Sequence, residues 1–209
     1  ASFAVGGFTS DNKNIGQSTG KEAAKYIQEK LGGKAKIAIV QFKSLLPEQS
    51  AERVNGFLEE VKKVNPEAEV VADQDAWIQD KGVAVAGDIL TAHPEVDLIF
   101  AANEGGTIGA TMAVKNAGKA GKVVVFGTDA SDQLVSMLKD GDNILQAITG
   151  QNPYNIGYKA MELLIKSLKG EDVSASKGTS TIVDGILLSR SNPEGIASFE
   201  ADLKAKMSK

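Results

Sequence analysis

Five residues suited to holding a small polar ligand follow five strand-like runs in this chain. The runs are KIAIVQF (36–42), EVVAD (69–73), VDLIFAAN (96–103), KVVVFGTD (122–129) and NILQAITGQ (143–151), and the residues to which they lead are Arg53, Trp77, Asn103, Asp129 and Gln151. Ligands of an open parallel α/β sheet bind outside the carboxyl ends of its strands, so we expect these side chains to converge on one rim. Their donors, acceptors and flat aromatic face suit a sugar, and they do not form a nucleophile–base set.

Four of these five residues also have a purely structural interpretation. Arg53 is predicted in the first turn of a helix, where a cation is mildly unfavourable, so its planar fork either forms a surface salt bridge or donates to two neighbouring hydroxyl or ring oxygens. Trp77, the only tryptophan, lies among polar residues and either packs in the core or stacks on a pyranose. Asn103 and Asp129 are predicted N-caps of helices that begin directly after them, which is compatible with ligand contact.

The composition argues against several kinds of metal and nucleic-acid site. The 209 residues include no cysteine and a single histidine, His93, so neither thiolates nor a histidine cluster are available to a metal. The carboxylates lack the spacing of an EF-hand, and we expect no metal and no cofactor. A net charge of −4 gives no electrostatic footprint for DNA or RNA. The stretch Gly16–Lys21 has one residue too few between its glycines for a phosphate-binding loop.

Strand and helix patterns alternate along most of the chain. Near-continuous apolar runs such as KVVVF and VDLIF are typical of strands covered on both faces, and the alternation predicts parallel strands joined by right-handed crossovers. We therefore predict an α/β fold with a doubly wound parallel sheet over residues 1–151. After that the pattern changes to a helix (153–169), a strand (181–189) and a last helix opened by Pro193. These elements are too few to bury a core of their own, so we expect a partner surface against them.

Three segments resemble the periplasmic sugar-binding proteins of ATP-binding-cassette (ABC) importers. They are DILTAHPEVDLIFAANEGGTIGA, KVVVFGTDAS and ITGQNPYNIGYKAMELLIKSLKGE. The resemblance is to the ribose- and galactose-binding type, which shares its fold with the effector domains of the lactose-repressor family. It extends over the entire chain but covers only about the last two thirds of such a protein. It implies the type I fold, in which two α/β lobes joined by a three-stranded hinge close over the sugar.

The resemblance also implies roles for individual residues. Arg53 matches the family's sugar-clamping arginine, and Trp77 matches the position of its stacking aromatic residue. The polar ligands of the C-terminal lobe and hinge match Asn103, Asp129 and Gln151. Gln49 falls where hexose binders have a further polar contact. Glu104 stands where many relatives have Asp, and Pro47 where galactose binders have His, so the identity of the sugar stays open.

A protein of this family captures a monosaccharide between its lobes and delivers it to an ABC permease in the membrane, without chemistry. Residues 1–151 would form the C-terminal ligand-binding lobe, and 152–209 the hinge and orphaned elements that return to an N-terminal lobe. The core of that lobe is absent from this sequence, so the lobe as a second polypeptide, or a second copy of the chain, would cover these elements. The implied location is the periplasm or the cell exterior. The first residues lack the charged region of a signal peptide, so an export signal would lie outside this sequence.

Two other functions remain open from the sequence. The ligand-sensing core of a lactose-repressor-type transcription regulator would have the same fold, and an upstream helix-turn-helix instead of a signal peptide would identify it. An α/β enzyme acting on a small polar substrate would place a group of perturbed pKa near Arg53.

Overall fold

The computed structural model describes residues 4–207, which form eight strands and seven α-helices. In chain order these are β1 (Gly7–Thr9), α1 (Asn12–Lys30), β2 (Lys36–Gln41), α2 (Pro47–Val64), β3 (Glu69–Asp75), α3 (Gln79–Ala92), β4 (Leu98–Ala101), α4 (Glu104–Asn116), β5 (Val124–Thr128), α5 (Asp132–Lys139), β6 (Leu145–Gly150), α6 (Pro153–Leu168), β7 (Ser180–Ile182), β8 (Ile186–Ser189) and α7 (Pro193–Met207). The helices before residue 150 alternate with strands, as predicted.

The chain divides into two compact units. The small unit consists of the described part of Ala1–Asp11 together with Gln151–Ile186. The large unit consists of Asn12–Gly150 together with the described part of Leu187–Lys209. These bounds differ from the predicted division at 151/152, because the first residues group with the segment after Gln151 and the last helix groups with the sheet.

The large unit is built on a six-stranded sheet in the order β3-β2-β4-β5-β6-β8. The pairs from β3 to β6 are all parallel, which confirms the predicted fold class. Strands β4 and β5 are buried at every residue, as expected of strands covered on both faces. The rings of Phe57 on α2 and Phe100 on β4 stack with centroids 4.0 Å apart in the core. Because the strands from β3 to β6 run parallel, their carboxyl ends share one edge of the sheet.

Helices α1 and α2 pack backbone to backbone because two glycines remove the side chains between them. A Cβ atom on Gly16 would lie 2.0 Å from the carbonyl oxygen of Arg53, and one on Gly56 would lie 2.2 Å from that of Lys13. Cβ atoms in proteins essentially never lie that close to another atom, so both positions need glycine. The close crossing brings the first turn of α1 next to Arg53.

Replacing Gly16 by alanine should destabilise the large unit by roughly 1–3 kcal/mol, because the new methyl group has only backbone to displace. Gly87 on α3 is the matched control, since a Cβ atom there meets nothing within 4 Å. Its replacement by alanine should stabilise the chain by about 0.5–1 kcal/mol through helix propensity. Urea unfolding of both variants measures the two effects. Equal midpoints for the two variants would contradict the tight crossing.

The small unit contains β1, β7 and α6. Strands β1 and β7 pair in parallel, with Phe8 opposite Thr181. Helix α6 has no buried residue, and six of its large apolar side chains are exposed, whereas Ile156 and Leu163 are half-buried. Most of the exposed ones lie at the alternating spacing of four and three residues that makes one helix face: Tyr154, Tyr158, Met161, Ile165 and Leu168.

The prediction of a single strand over 181–189 is wrong. The segment breaks at Asp184 and Gly185 into β7 and β8, which belong to different sheets. The amide of Val183 donates to Thr9 in the small unit, whereas the amide of Arg190 donates to Gln146 in the large unit. The expectation that this whole segment needs an outside partner is wrong as well, because Leu188 on β8 is only 2% exposed.

Candidate functional site

Four of the six predicted ligand residues lie together at the carboxyl edge of the large unit's sheet. The Nη1 atom of Arg53 is 4.0 Å from Oδ2 of Asp129 and donates to the carbonyl of Ala102 at 2.8 Å. The next residue, Asn103, donates from Nδ2 to the carbonyl of Trp77 at 2.7 Å. We call Arg53, Trp77, Asn103 and Asp129 the rim.

Arg53 is held from three sides. It lies in the second turn of α2, not in the predicted first turn, and it is only 5% exposed, which rules out a simple surface salt bridge. Its Nε atom donates to Oδ1 of Asn12 at 3.0 Å, and its guanidinium carbon lies 5.1 Å from the ring centroid of Phe42. Burial lowers the pKa of Arg53, and the negative charge of Asp129 opposes that shift. Arginine stays protonated under such conditions, so the rim contains a fixed buried cation.

Asn103 acts as the predicted helix cap. Its Oδ1 atom accepts from the amide of Gly106 at 3.2 Å at the start of α4, while its Nδ2 atom holds the loop that carries Trp77. Trp77 is 36% exposed, so the interpretation as a core residue is wrong. The indole ring therefore offers surface to a ligand beside an amide that is already oriented by two contacts.

Asp129 does not cap α5, contrary to the prediction. Ser131 does so by accepting from Leu134, and α5 begins at Asp132. Asp129 instead adopts a left-handed backbone with φ of 75°, and its Oδ2 atom accepts from the amide of Glu104 at 2.9 Å. The carboxylate therefore faces the first amide of α4, where a negative charge is favoured.

The two remaining predicted residues are placed differently. Gln151 directly follows β6 and begins the second segment of the small unit, where its Oε1 atom accepts from the hydroxyl of Ser10 at 3.3 Å. Gln49 is exposed in the first turn of α2, one turn before Arg53. Neither residue takes part in the contacts that define the rim.

Two residues that orient Arg53 were not among the predicted site residues. Asn12 and Phe42 supply an amide oxygen and an aromatic face to the guanidinium. Phe42 ends a strand-like run, which is a weak signal. Asn12 is separated from Arg53 by 41 residues and reaches it only because Gly16 permits the close helix crossing.

Within residues 4–207 no group of three or more His, Asp or Glu side chains is arranged to hold a metal ion. No helix in that range is long and apolar enough to cross a membrane. A cavity of about 500 Å³ lies between α5 and α7 and is lined by apolar side chains such as Val135, Phe199 and Leu203. None of its lining residues belongs to the rim, so the cavity does not compete with the rim as a site for a polar ligand.

A doubly wound sheet with a polar, charged and aromatic rim at its carboxyl edge has the architecture that the resemblance predicted, that of a lobe of the type I fold. Residues 8–172 match the family described as periplasmic binding protein domain, and the chain belongs to that family. The resemblance inferred from the sequence is thereby confirmed.

Two of the curated relatives bind sugars according to their names. The chain is 33% identical over 186 residues to the D-allose-binding periplasmic protein of Escherichia coli strain K12, which covers 87% of this chain and 57% of the relative. It is 39% identical over 159 residues to the ribose import binding protein RbsB of Salmonella typhimurium, covering 75% of this chain and 51% of that protein. The chain thus spans about half the length of the curated relatives it matches.

Two solved structures have a fold similar to that of this chain. An ABC transporter periplasmic solute-binding protein of Actinobacillus succinogenes with bound D-allose matches with a TM-score of 0.77 at 29% identity, over 90% of this chain and 63% of that one. A carbohydrate transporter solute-binding protein of Agrobacterium radiobacter in complex with D-arabinose matches with a TM-score of 0.76 at 26% identity, over 91% and 64% of the two chains. None of the relatives named here is a transcription regulator or an enzyme.

Proposed function

We propose that this chain forms the ligand-binding lobe of a solute-binding protein that captures a monosaccharide for an ABC importer. The observation that carries the proposal is the rim, where a buried arginine and a carboxylate lie 4.0 Å apart beside an exposed tryptophan. The names of the relatives, which include binders of allose and ribose, support a sugar as the ligand. Binding without chemical conversion fits a family of solute-binding proteins.

Each rim residue has a defined task in this proposal. Two of the five N–H donors of Arg53 are used by Asn12 and Ala102, and the rest serve neighbouring sugar hydroxyl or ring oxygens. Asp129 accepts from sugar hydroxyls, and Trp77 stacks on the apolar face of the ring. Gln49, which is exposed one turn before Arg53, adds a polar contact at the margin. Gln151 remains a ligand residue only by the resemblance.

A second lobe and a membrane permease complete the proposed protein. Enclosing a sugar takes walls on both sides, and a single rim leaves one face of the ligand in water. We propose that an N-terminal lobe supplies the other wall and covers the apolar face of α6. The permease would receive the sugar on the outer side of the membrane, in the periplasm or at the cell exterior, since the family is described as periplasmic and the D-allose-binding relative is named a periplasmic protein.

The function is tested by titrating the chain with a panel of pentoses and hexoses. Trp77 is the only tryptophan, so its fluorescence reports ligand at the rim directly. We expect one or a few aldoses to change the emission, with weak affinity for the chain by itself because half of the sugar's shell is supplied by the second lobe. Calorimetry provides the dissociation constants. A submicromolar constant for the isolated chain would contradict the need for a second lobe, and no response to any sugar would contradict the proposed function.

Replacing Trp77 by alanine should weaken binding of the responsive sugar about tenfold, which corresponds to about 1.4 kcal/mol, because the stacking surface is lost. Replacement by phenylalanine keeps an aromatic face and should cost much less. Calorimetry measures both variants, since neither retains the fluorescent probe. The control is Ile78 to alanine, which removes a neighbouring side chain that is 40% exposed. Equal losses in the Trp77 and Ile78 alanine variants would argue against stacking.

A further inference from the structure

Two buried threonines connect the strand ends that carry Asn103 and Asp129. Thr107, in the first turn of α4, donates from its hydroxyl to the carbonyl of Asn103 at 2.7 Å and accepts from the amide of Thr128 at 3.1 Å. The hydroxyl of Thr128 donates to the carbonyl of Ala101 at 3.1 Å. Both threonines are fully buried. The side chain of Thr107 thus bonds to the backbone of Asn103, which follows β4, and to the backbone of Thr128, which directly precedes Asp129 at the end of β5.

The hydroxyl of Thr107 lies where the two strands separate. The pairing of β4 with β5 ends at Phe100 and Phe126, two residues before Thr128. Successive amides of a strand point to opposite neighbours, and the amide of Asp129 bonds to Thr149 on β6. The amide of Thr128 therefore points toward β4, where the hydroxyl of Thr107 takes the place of a strand carbonyl.

Gly127 allows this insertion. A Cβ atom on Gly127 would lie 2.1 Å from Cγ2 and 2.5 Å from Oγ1 of Thr107. The first turn of α4 therefore contacts the backbone of β5 directly. This contact holds the start of α4, which Asn103 caps, against the end of β5, which Asp129 follows.

The backbone of Asp129 needs such support. Its φ of 75° is uncommon for a residue other than glycine, and such conformations persist only where the surroundings impose them. Three hydrogen bonds hold Asp129 and the residue before it. The amide of Thr128 donates to Thr107, the amide of Asp129 donates to Thr149, and the carboxylate of Asp129 accepts from the amide of Glu104. Two of these three bonds involve the first turn of α4.

We propose that Thr107 is a positioning residue of the sugar site: its hydroxyl sets the spacing of the Asn103 amide and the Asp129 carboxylate and holds Asp129 in its left-handed conformation. This inference rests on the proposed function, since it concerns the same rim. Thr107 itself is fully buried, so we expect it to make no contact with the sugar. Its effect on affinity is transmitted through Asp129 and Asn103.

Three variants separate positioning from general stability. Thr107→Val keeps the shape but leaves the amide of Thr128 without its acceptor, and we expect about a tenfold loss of affinity for the responsive sugar. Thr107→Ser keeps the hydroxyl and should restore affinity. Thr111→Val is the control, because Thr111 is a buried threonine of the same helix that bonds only along the helix, to the carbonyl of Thr107 at 2.8 Å. It should lose stability with little change in affinity, when all titrations are made where each variant is fully folded.

A double-mutant cycle with Asp129→Asn tests the route of the effect. If Thr107 acts through Asp129, Thr107→Val should cost much less affinity in the Asp129→Asn background than in the original chain. Additive losses, or equal losses in the Thr107 and Thr111 valine variants, would overturn the inference while leaving the proposed function intact.

The backbone of Asp129 gives a readout that needs no sugar. The three-bond coupling between its amide and α protons, measured by NMR, reports its φ angle, and amide exchange reports the bond from Thr128. We expect Thr107→Val to shift the coupling and speed the exchange, and Thr107→Ser to leave both near their original values. An unchanged coupling in Thr107→Val would overturn the inference. Failure of the original chain to respond to any sugar would instead count against the proposed function.

Discussion

Replacing Arg53 by glutamine should weaken sugar binding by roughly 100-fold, that is by about 3 kcal/mol, because a buried charged donor is removed from its acceptors. Glutamine retains an amide donor but neither the charge nor the planar fork. The loss also leaves Asp129 without its neighbouring cation at 4.0 Å and frees the carbonyl of Ala102. Lysine should rescue little, because a point charge cannot reproduce the simultaneous bonds to Asn12, Ala102 and a ligand.

The chain contains one other arginine, which makes a matched control. Arg190 is also largely buried and donates to backbone carbonyls, at 2.6 Å to Leu145 and 3.0 Å to Met137, but it does not belong to the rim. Replacing Arg190 by glutamine should lower stability and leave affinity within about twofold. Calorimetry and urea unfolding on both variants compare affinity with stability. If both arginine variants lose affinity in proportion to their loss of stability, Arg53 has only a structural role.

The sheet of the large unit was predictable because each of its central strands coincides with a short apolar run in the sequence. Runs such as VDLIF and KVVVF are continuously apolar, and β4 and β5 are buried at every residue. The rule that ligands bind at the carboxyl ends of such strands then groups Arg53, Trp77, Asn103 and Asp129, which the structure places at one edge. Local pattern and a general topological rule were sufficient here.

Features that depend on distant partners could not be read from the sequence. The stretch 181–189 looks like one strand, although the pair Asp184-Gly185 inside it is a turn signal. That its two halves bond to Thr9 and to Gln146, in different sheets, is not recorded locally. Asp129 precedes a helix and so resembles a cap. Its left-handed conformation is determined by partners in α4 and β6, which lie about 20 residues away on either side along the chain.

The exposed face of α6 should make the isolated chain associate. We define this face by five side chains at one-turn spacing: Tyr154, Tyr158, Met161, Ile165 and Leu168. Their exposed fractions run from 43% to 78%, and the rings of the two tyrosines stack with centroids 6.2 Å apart. Full burial of one large apolar side chain contributes roughly 1.5–3 kcal/mol. Covering the exposed parts of these five is therefore worth roughly 4–9 kcal/mol, which is comparable with the lower part of the stability range of a typical domain. Monomers seldom leave such a surface open.

Changing Met161 and Ile165 together to glutamate should abolish this association, because two charges in the centre of the face cannot be buried without partners. The control changes Leu45 and Leu46 to glutamate, since these are exposed to 49% and 45% in a loop of the large unit. Light scattering should show a mass above 21.9 kDa for the original chain and the control, and the monomer mass for the α6 variant. In the proposed two-lobed protein the same face is covered, so adding the N-terminal lobe should displace the self-association. A monomeric original chain with protected amides throughout α6 would show that the chain covers this face itself, and the proposed partner lobe would lose its main structural support.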